Sequence, residues 1–292
     1  MQKNTYKKAF DNNLDSIKIL SMNPNMLSII VDLTLPDGWK GVAVEKWSDF
    51  AFEPEKLTQN PDKVFKSENG NVTVLKKIGN NFVVVKKTVN RTGIKRLADF
   101  LRAPKSLRNF YLAVLLKQKG IEVAEPIAAL WHRKNGCIYI TEYIQNSLNL
   151  YDVAFGKNRE ILTNFSARKT VIRQVAETIA KLHKSNFWHR DPKAGNFIIY
   201  KDSGIYRVKL IDLDGIKQDS AGRRENHIRT LAKLTETLIR FKTVNFADLY
   251  RGFRIYCNAM GIDDIDAEEL FHKVERLTVA ARLLTIVSDS NK

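Results

Sequence analysis

The sequence predicts an α+β protein of two lobes, a small antiparallel sheet followed by a mainly helical half. Three observations lead there. Between 63 and 88, short apolar runs are separated by Asn69-Gly70-Asn71 and Gly79-Asn80-Asn81, both hairpin signals. From Ser166 to about Ser185, Val171, Val175, Ile179 and Leu182 recur at near-helical spacing, and 222–287 again reads as helices. Between these stretches a polar loop, His189 to Asn196, leads into a further hairpin that ends at Asp212. The expected division is an N-terminal accessory segment at 1–60 packed on the first lobe, the sheet lobe at 61–145 and the helical lobe at 146–292.

In chain order, residues 1–60 hold an apolar patch, Met26 to Val31, and two tryptophans, Trp39 and Trp47, expected as strands or loops against the next lobe. Val72 to Ile78 alternates, with Val72, Val74 and Lys76 on one face. Phe82 to Lys86 forms the next strand. A helix is expected after Pro104, with Ser106 as N-cap and Leu107, Phe110, Val114 and Leu115 or Leu116 as its buried stripe; Gly120 stops it. Ile138 to Tyr143 reads as a buried strand at the lobe boundary. Phe197 to Tyr200, a turn at Asp202-Ser203-Gly204 and Tyr206 to Ile211 form the hairpin that delivers Asp212.

Composition narrows the function. At 292 residues, with 44% apolar and 27% charged, the chain is an ordinary globular protein long enough for two lobes. Two cysteines make no disulfide framework, and the five histidines lack metal-ligand spacing. No apolar run reaches the ~18 residues of a membrane span, and the positive start lacks the apolar stretch of a signal peptide, so a reducing, cytoplasmic setting is expected. The net charge is +16, and ten basic residues between Leu75 and Arg108 face one acid, Asp99. Such a block suits a nucleotide or an anionic membrane surface; it is also what a merely solvated basic face looks like. Nucleic acid is not expected, because no helix-turn-helix, zinc-finger or aromatic-plus-basic RNA signature is present.

The chemistry sits in His189-Arg190-Asp191-Pro192-Lys193-Ala194-Gly195-Asn196, which reads H-R-D-x-K-x-x-N, and in Leu210-Ile211-Asp212-Leu213-Asp214-Gly215. Phosphoryl transfer needs a carboxylate to orient the attacking hydroxyl, oxygen ligands for Mg²⁺ and a cation where charge spreads. Asp191, the pair Asn196 and Asp212, and Lys193 supply these in turn. Asp214 is left as a partner of that pair or a turn former. Lys86 ends an apolar strand as the lysine of V-A-I-K does, and is the candidate phosphate clamp. Lys87 points to the opposite face, so only one of the two can serve. Gly70 stands alone rather than in a glycine-rich phosphate loop.

On these residues, together with Ser106-Leu107-Arg108, Gly120 to Ile127 and Thr141-Glu142, the stretch from about 62 to 255 resembles the lipopolysaccharide kinase family, the Kdo and heptose kinases of bacterial envelope synthesis. The resemblance implies a two-lobed protein-kinase-like fold, ATP with Mg²⁺, and a lipid-linked sugar hydroxyl as acceptor. It places Lys86, Gly70 and Glu142 on the nucleotide and Asp191 at the acceptor. A peripheral position at the inner face of the inner membrane would follow.

Three departures from the family's pattern stand out. No acid lies between Leu101 and Ile121, so Asn109 or Tyr111 takes the place of the helix Glu that would pair with the strand lysine. Arg190 stands where many envelope-sugar kinases have Gly. No A-P-E motif follows Asp212 and no proline follows Pro192, so a peptide-docking segment is missing and a glycan or small acceptor is favoured. The rival expectations are a kinase-like enzyme acting on a protein or metabolite, and a pseudokinase scaffold.

Overall fold

The structure, a computed structural model, describes residues 30–90, 103–219 and 222–290. Met26 to Ile29, and Arg91, Lys95, Arg96, Asp99 and Arg102 of the basic block, lie outside them. The chain divides into two compact units, one of residues up to Gln118 plus Ala124–Tyr143, the other of Lys119–Val123 plus everything from Ile144.

The first unit is a sheet with one described helix. Its elements are β1 (Ile30–Thr34), β2 (Lys40–Val44), a 3-10 turn at Glu45–Trp47, β3 (Lys63–Glu68), β4 (Asn71–Ile78), β5 (Asn81–Thr88), α1 (Lys105–Gln118), β6 (Pro126–His132) and β7 (Gly136–Glu142). Seven strands run antiparallel in the order β1-β2-β6-β7-β5-β4-β3. The β3–β4 hairpin closes on Asn69 and Gly70 at φ +49° and +75°, values that only a short polar residue and a glycine adopt readily and whose twist matches the strands.

Period-two alternation sorts the two faces. Val74, Val85 and Ile140 are paired across three strands. Their face is covered by Trp39, Trp47, Phe52 and Leu57, so the described part of the N-terminal segment is built into this core. On the opposite face α1 buries Leu107, Phe110, Val114, Leu115 and Leu116, each contributing about 1.5–3 kcal/mol. One expectation about α1 is corrected. Ser106 is not its N-cap: the Arg108 amide already donates to the Pro104 carbonyl, which puts Ser106 inside the first turn. Its hydroxyl instead donates to the Leu130 carbonyl at 2.9 Å and ties the helix to β6.

The second unit holds β8 (Leu148–Asn149), α2 (Leu150–Ala154), α3 (Arg159–Thr163), α4 (Phe165–Lys184), β9 (Phe187–His189), a 3-10 turn at Ala194–Asn196, β10 (Phe197–Asp202), β11 (Ile205–Leu210), β12 (Ile216–Gln218), α5 (Arg224–Leu238), α6 (Phe246–Met260) and α7 (Asp264–Ser290). Asn149, Asn158, Asn164 and Asn245 cap α2, α3, α4 and α6 by accepting from the amide three residues on. In α4, Val171, Val175, Ile179 and Leu182 are all buried, as their spacing predicts. The helix therefore has a fixed rotation, and the chain leaves it in one direction, through Asn186 at φ +59° and into the loop that carries Asp191.

Candidate active site

β9 and β12 pair antiparallel, with His189 opposite Ile216, and this short ladder brings the two motifs of the second unit together. The buried His189 ring reaches into both of them. Its Nδ1 accepts from the Asp191 amide at 3.2 Å, and its Nε2 lies 3.1 Å from the Asp212 carbonyl. An amide can only donate and a carbonyl only accept, so the proton sits on Nε2. Burial holds the imidazole below its ordinary pKa; the Asp212 carbonyl and the charges of Asp212 and Asp191 pull the other way. The ring is a neutral strut between the two carboxylate-bearing segments. Behind it, Thr230 Oγ1 of α5 donates to the His189 carbonyl at 3.1 Å, and the Arg190 amide donates to the Gly215 carbonyl at 2.8 Å.

Gly215 has a steric reason. A Cβ there would stand 2.4 Å from His189 Cε1 and 2.6 Å from Nδ1, closer than any real contact.

Asp191 is partly exposed and pairs with Lys193 Nζ at 2.8 Å, the side chains being 43% and 57% exposed. An ion pair that open adds little stability. Its value lies in the charge it presents. Asn196 Nδ2 donates to the Asp191 carbonyl at 3.3 Å, which turns the amide oxygen of Asn196 the other way. The Asn196 carbonyl in turn accepts from the Ile211 amide at 2.9 Å, one residue before Asp212. Asp212 leaves the end of β11, and its Oδ1 accepts from the Asp214 amide at 3.4 Å. Asp191, Lys193, Asn196 and Asp212 thus belong to one hydrogen-bonded assembly. Ala194 fastens it to α5 by donating from its amide to Thr237 Oγ1 at 3.2 Å.

The sequence motifs give no sign of His189 as a strut, or of Thr230 and Thr237 as its supports. The two threonines lie on a helix whose apolar pattern carries no hint of a polar partner. The histidine opens its motif and Gly215 closes the other, and their contact exists only once β9 and β12 have paired.

The first unit carries the residues expected on the nucleotide. Lys86 and Lys87 do point to opposite faces: Lys87 Nζ is 3.7 Å from a Glu55 carboxylate oxygen, on the face of the Trp39–Phe52 core. Lys86 lies opposite Thr73 and Tyr139 and lines a narrow cleft under α1 with Lys105, Asn109 and Tyr139. Of the two residues expected in place of the helix Glu, Asn109 lines that cleft and Tyr111 does not. Gly70 sits at the tip of the β3–β4 turn, against Val89. Glu142 uses its carboxylate internally, accepting from the Glu125 amide at 2.9 Å.

Residues 72–253 match the model of the lipopolysaccharide kinase (Kdo/WaaP) family. Among solved structures, the chain is similar to one described as WaaP in complex with acyl carrier protein: 18% identity, TM-score 0.54, over 77% of this chain and 97% of that one. That likeness is one of fold. No curated protein matches the chain significantly. The family match spans about three fifths of the sequence and includes Lys86, the whole of 189–196 and Asp212, while the fold likeness gives the two-lobed α+β architecture its kinase-like form. The chain belongs to the lipopolysaccharide kinase (Kdo/WaaP) family, whose members are kinases.

Proposed function

We propose that this kinase moves the γ-phosphoryl group of ATP to a sugar hydroxyl, Kdo or heptose, of the lipopolysaccharide core. The observation that carries the reading is the Asp191–Lys193–Asn196 assembly, a partly exposed carboxylate beside an ammonium group, on a turn held by backbone bonds and by the His189, Asn196 and Thr237 side chains. Asp191 orients the acceptor hydroxyl and takes its proton as the transfer completes. Lys193 places its positive charge where negative charge spreads on the transferred group. Lys86 steadies the nucleotide phosphates, with the backbone around Gly70 and Glu142 on the same nucleotide.

The donor set suits a magnesium ion. Asn196 offers a neutral amide oxygen and Asp212 a carboxylate, both hard oxygen donors. Among the described residues no group of three His, Cys, Asp or Glu gathers to hold a metal, so phosphate oxygens and water would complete the coordination. Bound there, the ion neutralises phosphate charge. No helix among the described residues is long and apolar enough to cross a membrane. Contact with a lipid-borne acceptor is therefore proposed as peripheral, through the basic stretch between Leu75 and Arg108.

The test is an acceptor screen with labelled ATP against deacylated core oligosaccharide, small sugars and generic protein, with the phosphate located by mass spectrometry. Transfer to core sugar is expected. Asp191→Ala and Asp212→Ala should each lower it by about 10²–10⁴-fold while the circular dichroism spectrum is unchanged. Near-wild-type turnover in both variants would sink the assignment. The lack of an acid in the sequence from 102 to 120 favours one rival, a scaffold without turnover. Transfer to no acceptor, together with no Mg²⁺-dependent thermal stabilisation by ATP, would favour it over the enzyme.

A further inference from the structure

An exposed aromatic cluster flanks the catalytic turn. Tyr151 and Phe155 are 49% and 66% exposed. Their rings are parallel within 5° at 6.3 Å, and the ring of Phe241 meets both edge-on, at 4.9 and 6.5 Å. Phe241 is thus a brace that fixes two outward-facing rings. The mounting is rigid as well. The Asn149 side chain caps α2, the Phe155 amide donates to the Tyr151 carbonyl at 2.9 Å, and Thr243 Oγ1 donates to the Ala154 carbonyl. The scaffold is the one that holds the site. α2 packs against the 3-10 turn ending in Asn196, and α5, whose Thr237 receives the Ala194 amide, runs out into Phe241.

Two large rings left open to solvent cost free energy unless something covers them, and contiguous exposed apolar surface marks a contact site. We propose that Tyr151 and Phe155 form the acceptor platform, stacking against a pyranose ring of the glycan whose neighbouring hydroxyl reaches Asp191. This deepens the kinase reading above and rests on it. The chemistry fits a sugar. Its ring presents a face of polarised C–H bonds, which the negative face of an aromatic ring attracts, while its hydroxyls stay at the edge. Exposed Lys242, one residue beyond Phe241, supplies a cation for an acidic sugar. The neighbours also argue against a purely hydrocarbon occupant: Lys157 and Asp152 form an exposed ion pair on the same short segment, and an acyl chain would have to desolvate it.

The test is steady-state transfer to core oligosaccharide by Tyr151→Ala, Phe155→Ala and Phe155→Trp, each assayed against deacylated and acylated acceptor. Both alanine variants should raise the acceptor KM about ten-fold, which is about 1.4 kcal/mol of lost binding, with the KM for ATP unchanged. Phe155→Trp should restore most of the loss, since it returns a stacking face. Melting temperatures of the variants identify any loss due to unfolding. An unchanged acceptor KM in both alanine variants overturns the platform, as does a loss confined to the acylated acceptor, which would assign the rings to lipid. Failure of the wild-type protein to phosphorylate any glycan is a different result. It would sink the functional reading itself.

Discussion

His189 and Gly215 illustrate how a single contact can govern a site without touching substrate. The ring is buried, bonded on one nitrogen to the Asp191 amide and on the other to the Asp212 carbonyl, and the space it occupies is available only because residue 215 has no side chain. A methyl group at 215 must push the ring or the Asp212 segment aside, and overpacking of this kind typically costs about 1–3 kcal/mol. Gly215→Ala is therefore expected to lower both the unfolding free energy by about that amount and the transfer rate, since either displacement moves a carboxylate. The cause is identifiable by a double-mutant cycle. If the ring is what the methyl group strikes, Gly215→Ala combined with His189→Ala should be less destabilising than the two single losses added together. Additive losses in urea unfolding would show that the clash lies elsewhere.

At the scale of elements, β5 separates two adjacent lysines by alternation alone. Lys87 points to the Trp39–Phe52 face and meets Glu55, whereas Lys86 points to the α1 face and shares a cleft with Asn109. Lys86→Met should cut kcat/KM by about 10²–10³-fold, in line with the loss of one preorganised donor. Lys87→Met should cost no more than about 1 kcal/mol of stability, since its ion pair is partly exposed, with little effect on rate. Equal kinetic losses in the two variants would contradict the division of faces. This division was legible in the sequence, because strand period and turn residues are local properties. So were the three strands at 63–88, the stripe of α4, the hairpin expected to run through Ile211 to Asp212, whose second strand ends at Leu210, and the grouping of Asp191, Lys193, Asn196 and Asp212, which the motif spacing carries. What stayed illegible depends on distant partners. Ser106 has the chemistry of an N-cap, yet its hydroxyl goes to Leu130, 24 residues away. Trp39 is expected against the sheet lobe, but the pairing of β2 with β6, 80 or more residues along the chain, that seats it and Phe52 in the core is announced by no local pattern. The Tyr151–Phe155–Phe241 cluster likewise needs segments 86 or more residues apart to meet.

For the molecule as a whole, acid stability should be set largely inside the second unit, where three histidines are held neutral. His183 of α4 stacks on His227 of α5 at 4.0 Å, and its Nδ1 lies 2.8 Å from the Tyr256 hydroxyl of α6. Burial lowers the pKa of both histidines; the neighbouring His227 lowers that of His183 further, while Asp219 partly offsets the effect at His227. Burial lowers His189 in the same direction. The sign of the effect follows from proton uptake. The unfolded chain takes up protons near pH 6.5, whereas the folded ring accepts them only at lower pH, so between those values the unfolded state binds more protons and stability rises with pH. The contribution is complete above about pH 6.5. It is lost as pH falls from there toward the folded pKa, and the loss extends furthest for His183, whose pKa lies well below the ordinary value. Urea midpoints should accordingly be flat from pH 8 to 7 and decline from about 6.5 to 5, before most carboxylates titrate. His227→Phe keeps a ring over His183 but removes one titrating group and its repulsion, so its decline should be shallower than that of the wild type. A decline of identical steepness in the two proteins would mean that the stacked pair does not set the acid limit. If it does set the limit, acid should cost the protein its activity as well as its stability. α4 and α5, which carry the pair, also deliver the chain to Asp191 and hold the His189 carbonyl through Thr230.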